Sequence, residues 1–179
     1  MTGRLHHDEV RIDEELVQHL LRTQLPDLAN QELRPVPAQG TDNVVFRLGT
    51  ELSVRLPRKP AAVRSLLIER EWLPRVAPRL PLAVPLPVAS GEASDAYPFP
   101  WLVCTWLSGT PLPPGGELGA VDVDTLAEFV LALQAFDSEG GPHVQPGQRA
   151  GSVAAYDAVA RAALHETSAL LAAGRIEPD

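Results

Sequence analysis

Residues Thr41 to Lys59 read TDNVVFRLGTELSVRLPRK, and the whole fold hangs on how this stretch is read. Two runs with alternating apolar residues, NVVFRL and LSVRLP, flank a short GTE turn. Alternation of period two marks a strand with one buried face, so the stretch predicts a β-hairpin. In the second run Leu52, Val54 and Leu56 fall on one face, and Ser53 and Arg55 on the other. On pattern alone Arg55 has two readings: a solvated strand arginine, or a cation held in place to meet a phosphate.

Working outward, QELRPVPAQG predicts a strand before the hairpin, and Pro35 and Pro37 place it at a sheet edge. Three consecutive strands with short turns make an antiparallel meander. Upstream, IDEELVQHLLRTQLP predicts a helix capped by Asp13, with Ile12, Leu16, Val17, Leu20, Leu21 and Leu25 as its apolar stripe and Pro26 as its stop. Downstream, KPAAVRSLLIEREWLPRVAPRL predicts a second helix with Pro60 near its first position. Ala62, Leu66 and Leu73 share one face of it, and Glu69 lies on that same face. A carboxylate on an apolar stripe needs a partner, because an unpaired buried charge is very costly. Glu71 lies off that face, where Arg75 is its i+4 partner, and is the alternative for the same role.

LAVPLPVASG and YPFPWLVCTWLSG predict two further strands. The proline- and glycine-rich TPLPPGGELGA then marks a boundary. Beyond it DVDTLAEFVLALQAFD predicts a helix with Leu126, Phe129, Val130, Leu133 and Phe136 as its apolar positions and a capping box from Thr125 to Glu128. GSVAAYDAVARAALHETSALLAAG predicts another, ending at Gly174. The fold class is therefore α+β: a five-stranded antiparallel sheet with one helix between its third and fourth strands, followed by helices of a second unit. The expected organisation is a first domain over 1–109, a connector over 110–121 and a helical part over 122–179.

Composition narrows the function. A net charge of -8 argues against general nucleic-acid binding, which rests on cations neutralising phosphates, but leaves room for a local anion pocket. The apolar runs are too short for a membrane helix, and the polar, acidic start MTGRLHHDEVRIDEEL has no signal-peptide core, so a cytoplasmic protein is expected. The single cysteine, Cys104, lies in an apolar run and reads as a small buried hydrophobe. The five histidines show no metal-ligand spacing. Trp101 and Trp106 read as core residues, and Trp106 could line a ligand pocket only with its ring turned inward.

A polar loop with Gly40 between two strands, a cation on the next strand and a carboxylate on the following helix are the parts of a phosphate site. With GTDNVVFRLG, LSVRLPR, IEREWLPRVAPRLPLAVPLPV, YPFPWLVCTWLSG and RAGSVAAYD in this order, the chain resembles the aminoglycoside phosphotransferase family, whose fold is like that of protein kinases. The resemblance implies an N-terminal nucleotide-binding lobe followed by the first helices of a C-terminal lobe. It implies that Gln39, Gly40, Thr41, Asp42 and Asn43 form the loop over the nucleotide phosphates. Arg55 would contact the α- and β-phosphates, with Glu69 as its partner. The Thr105 carbonyl and Leu107 amide would read the base. The implied cofactor is ATP or GTP, with Mg²⁺ in the intact family, and the acceptor is a small-molecule hydroxyl, as on an aminoglycoside or macrolide-like antibiotic or a metabolite.

Two departures from the family pattern shape the expectation. The strand cation is arginine where protein kinases carry lysine, and the loop has one glycine. The catalytic His-Gly-Asp segment, with its metal-binding asparagine and aspartate, does not occur among the 179 residues. No catalytic residue is therefore assigned. The chain is expected to be truncated before the catalytic loop and to bind nucleotide without transferring phosphate. The alternatives are a non-catalytic module that binds nucleotide or a protein partner, with self-association through exposed helix faces, and a gene fragment with no function of its own.

Overall fold

The computed structural model describes residues 10–37, 40–110, 119–137, 139–141, 157 and 160–167. The chain forms two compact units, Met1–Asp137 and Ser138–Asp179.

The first unit opens with helix α1 (Glu14–Gln24). Its start is the predicted one: Asp13 Oδ1 accepts the Leu16 N–H at 3.1 Å, satisfying one of the donors a helix leaves open at its first turn. Pro26 begins a short 3₁₀ turn to Leu28. Strands β1 (Leu33–Pro35), β2 (Asn43–Leu48) and β3 (Leu52–Pro57) follow as the expected meander. Helix α2 (Pro60–Val76) leads into β4 (Pro87–Gly91) and β5 (Trp101–Thr105). The sheet order is β1-β2-β3-β5-β4, with every neighbouring pair antiparallel. The edge strands are β1 and β4, and each carries a proline, Pro35 and Pro87, where a missing N–H is tolerated. A bulge between Pro87 and Ala89 shifts the β4–β5 register.

Both sheet faces are covered. Val44, Phe46, Leu48, Val54, Leu56, Trp101 and Val103 pack with Val17, Leu20 and Leu21 of α1 in the main core. On the opposite face Leu66 of α2 packs on Leu102 and Cys104. This changes the reading of β3. Its Ser53 and Arg55 side is no solvent face but lies under α2, and Ser53 is only 5% exposed. The polar positions of a hairpin cannot by themselves announce that a helix will return over them. β5, flanked by strands on both sides and covered above and below, is buried from Trp101 to Cys104, hence its unbroken apolar run.

Two glycines are required by geometry. Gly49 turns the β2–β3 hairpin with φ +58. Gly91 faces the Trp101 indole so closely that a Cβ there would collide with the ring.

Helix α3 (Ala120–Gln134) closes the unit. It begins earlier than predicted. Gly119 is the N-cap and donates its N–H to Asp122 Oδ2 at 3.2 Å, so the start is not the Thr125–Glu128 box. Its packed side also differs from the predicted stripe. Thr125, Phe129, Ala132 and Phe136 are half-buried, while Val123, Leu126, Val130 and Leu133 are exposed. Phe136 meets Trp72 of α2 edge-on at 6.2 Å, Arg79 lies 5.0 Å from the Phe136 ring and Arg75 lies 5.1 Å from the Trp72 ring. The predicted connector lies mostly outside the described residues, as does most of the predicted helix over 151–174. In the second unit Asp157 and residues 160–167 are helical, and Arg161 donates to Asp157 at 2.7 Å.

The β4–β5 loop is tied back to β3 by a buried hydroxyl. Tyr97 donates to the Pro57 carbonyl at 2.5 Å. Tyr97→Phe leaves that carbonyl buried without its partner, an expected loss of about 1–3 kcal/mol in urea unfolding. Burial holds the Tyr97 hydroxyl well above its ordinary pKa of 10.0. The unfolded chain therefore gives up this proton first, and this contribution to stability is constant below about pH 10 and falls as pH rises further. Urea midpoints measured from pH 7 to 11 should show that alkaline fall in the parent and a shallower one in Tyr97→Phe.

Candidate functional site

The site is built along β3. Strand pairing sets Asn43 opposite Pro57, Val45 opposite Arg55, and Leu52 opposite Thr105. The loop end of the hairpin and the end of β5 thus lie five residues apart along β3, about 16 Å at strand rise, with Arg55 between them. Side-chain alternation puts Asn43, Val45, Arg47, Ser53, Arg55, Leu102 and Cys104 on the face that α2 covers.

Arg55 and Glu69 meet: Arg55 Nη1 donates to Glu69 Oε2. The arginine side chain is 22% exposed and the glutamate 32%, so water reaches both. α2 makes this pair because Glu69 sits one turn from Leu66, the residue that presses the helix onto the sheet. Glu71 instead pairs with Arg75 at 3.1 Å on the exposed side, and so does not take the role that had Glu71 as its alternative. Cys104 reports the same geometry. Burial pushes its thiol up, Arg55 pulls it down, and Glu69 pushes it up.

At the loop end Gly40, Thr41 and Asp42 are exposed, while Gln39 lies outside the described residues. The Asp42 carbonyl accepts the Arg58 N–H at 2.8 Å, and its carboxylate pairs with Lys59 at 3.0 Å. The loop is thereby fastened to the start of α2. Asn43 opens β2 with its Oδ1 buried and without a hydrogen-bond donor. Lys59 was not singled out from the sequence. It is the N-cap of α2, and its spacing from Asp42 carries no local pattern.

At the other end Thr105 uses both backbone and side chain on Leu86. Its N–H donates to the Leu86 carbonyl at 2.8 Å, and its Oγ1 accepts the Leu86 N–H at 2.8 Å. The next residue, Trp106, donates its N–H to the Glu51 carbonyl at 2.7 Å, and Arg47 sits 4.8 Å from its ring centroid. Arg47 also donates to the carbonyls of Gly49 and Thr50 at 3.3 and 3.0 Å. Leu107 is 41% exposed. Trp101 is fully buried, as expected; Trp106 is only half-buried, against Arg47.

The comparisons bear on this arrangement. The profile of the phosphotransferase enzyme family matches residues 32–178. The chain belongs to that family. Phosphotransferase structures share its fold. The GDP and kanamycin complex of APH(2")-IIia superposes with a TM-score of 0.61 at 25% identity, over 69% of this chain and 42% of that one. ADP-bound aminoglycoside phosphotransferase APH(2'')-Ib gives 0.50 at 20% identity, over 70% and 41%. Macrolide 2'-phosphotransferase MphH from Brachybacterium faecium gives 0.50 at 23%, over 70% and 44%. The chain thus spans about two fifths of the length of these relatives. No curated protein matches it. The five-stranded antiparallel sheet with its helix is the kinase-like N-terminal lobe of this family. Among the described residues no helix is long and apolar enough to cross a membrane.

The Arg55–Glu69 contact has a measurable strength. A double-mutant cycle with Arg55→Ala and Glu69→Ala, read by urea unfolding, should give a coupling of about 0.5–1.5 kcal/mol, between the values of exposed and buried pairs. Additivity within about 0.3 kcal/mol would show that the two groups do not hold each other.

Proposed function

We propose that the first unit holds a nucleoside triphosphate, with its phosphates toward Gly40–Asn43 and Arg55 and its base toward Thr105–Leu107. The observation that carries this reading is the Arg55–Glu69 pair. A half-buried arginine, held by a carboxylate on the helix above it, is a preorganised cation on the face where a nucleotide would lie. Family membership supports it, and so do relatives seen with GDP and ADP. Lys59, held by Asp42, would place an ammonium group at the same end. Within the first unit we place a boundary over 110–121, between the nucleotide-binding residues 1–109 and helix α3.

In the intact family such a nucleotide supplies a phosphoryl group to a hydroxyl of a small molecule. We assign that role to the whole assembly of which these residues form the nucleotide side, working in the cytoplasm, where ATP and GTP are abundant. Among the described residues no three His, Cys, Asp or Glu side chains gather to hold a metal. The 179 residues on their own should bind nucleotide without turnover. A second reading, a non-catalytic binding module, draws on the exposed Val123, Leu126, Val130 and Leu133 of α3.

Titration of the 179-residue chain with ATP and Mg²⁺ tests the site. Arg55→Ala should weaken binding about tenfold or more, and Arg55→Lys by less, because lysine keeps the charge but not the two-pronged grip. Equal affinity of Arg55→Ala and parent would remove Arg55 from the site. Absence of saturable binding by the parent would overturn the nucleotide reading. Sedimentation of the same sample addresses the second reading, since a clean monomer counts against it.

A further inference from the structure

We infer that Trp72 and Phe136 are positioning residues for the nucleotide site: by joining α2 to the end of α3 they hold Glu69 against Arg55. The inference rests on the nucleotide reading above and adds to it the contact that keeps the cation in place.

The need for such a contact comes from α2 itself. Its buried residues, Ala62 and Leu66, both precede Glu69. Leu66 presses the first part of the helix onto Leu102 and Cys104, and the part beyond Glu69 has to be held by something else. Pro74 weakens that part further. It has no N–H for the Arg70 carbonyl four residues back, and its ring crowds that carbonyl, so the last turn lacks part of its own support. Arg70 reaches Glu92 at 3.6 Å on one flank, but both side chains are well exposed and water screens the pair.

Trp72 supplies the second anchor. It stands three residues after Glu69, a neighbouring position on the helix surface, on the side away from Leu66. Its ring meets the Phe136 ring edge-on, with centroids 6.2 Å apart and planes at 81°. Both rings are backed by cations. Arg75, paired with Glu71 at 3.1 Å, lies 5.1 Å from the Trp72 ring. Arg79, brought round by the 3₁₀ turn Ala77–Arg79, lies 5.0 Å from the Phe136 ring. Glu69 therefore sits between two fixed points, Leu66 on the sheet and Trp72 on Phe136. A helix can roll about one contact. Two contacts, a turn to either side, fix the roll and with it the direction of the Glu69 carboxylate. Phe136 lies just past the end of α3, so the seating of that helix is passed to the Arg55–Glu69 pair.

The test is a titration with ATP and Mg²⁺ of the 179-residue chain carrying Trp72→Ala, Trp72→Phe, Phe136→Leu or Glu69→Ala, and of the double variant Trp72→Ala with Glu69→Ala. A contact cannot pass on more than it is worth, so Trp72→Ala and Phe136→Leu should each weaken binding about two- to tenfold. Trp72→Phe keeps a ring against Phe136 and should stay within about twofold of the parent. In the Glu69→Ala background Trp72→Ala should weaken binding no further. A folded Trp72→Ala with the parent's affinity overturns the inference and leaves the nucleotide site standing. So does an equal loss with and without Glu69, the mark of a merely structural residue. If Trp72→Ala does not fold, Phe136→Leu with and without Glu69→Ala decides by the same criteria. The Arg55–Glu69 unfolding cycle, repeated in the Trp72→Ala or Phe136→Leu background, reads the anchor without nucleotide: the coupling should fall to additivity, and a coupling equal to the parent's overturns the inference. Absence of binding by the parent overturns the nucleotide reading, and this cycle then decides alone whether the two rings hold the pair.

Discussion

Placing a charged side chain of a central strand beneath a helix is the constraint around which this unit is arranged. Leu66 brings α2 down on Leu102 and Cys104, and the helix then covers the face that carries Ser53 and Arg55. A guanidinium there loses part of its water, and the loss has to be made up by a partner on the covering element. Glu69 is that partner. The pair is worth only a modest amount to stability because both groups stay partly wet. Its larger effect is directional: it fixes where a positive charge points between the loop end of the hairpin and the end of β5.

The rest of the unit can be seen as support for that placement. The core of α1 against Val44, Phe46, Leu48, Val54, Leu56 and Trp101 holds the other face of the same strands. Tyr97 anchors the end of β3 through the Pro57 carbonyl, beside the loop. Asp42 ties the loop to Lys59 and Arg58, and Trp106 ties the exit of β5 to the β2–β3 turn. Three points spread along one strand are thus each fixed by a different contact, the geometry that a long, thin, charged ligand requires.

The elements themselves were legible in the sequence. The alternation in NVVFRL and LSVRLP, the cap at Asp13, the first-turn proline of α2 and the apolar run of β5 are local signals that this fold reinforces. Arg55 and Glu69 were legible as a pair because the helix follows the strand directly and its apolar stripe gives the inward side. What could not be read were contacts with no local pattern: Lys59 on Asp42, Arg47 on Trp106, and the hydroxyl of Thr105 on Leu86. α3 shows the limit of periodicity. Its apolar residues encircle too much of the helix for the pattern alone to choose a packed side, and Trp72 made the choice by meeting Phe136.

The bulge in β4 has a consequence for the lengths this region tolerates. The bulge takes up one extra residue between Pro87 and Ala89, so that Gly91 lies under the Trp101 ring at one end of the strand while Leu86 reaches Thr105 at the other. Deleting Val88, an exposed side chain with little packing of its own, would restore an unbroken ladder with the same partners, Pro87 opposite Cys104 and Ala89 opposite Val103. Both end contacts survive that loss, whereas one further residue in the strand would move one of them out of register unless a second bulge took it up. The strand is therefore expected to tolerate the loss of one residue at this point better than the gain of one, although nothing in the side chain of Val88 would reveal it.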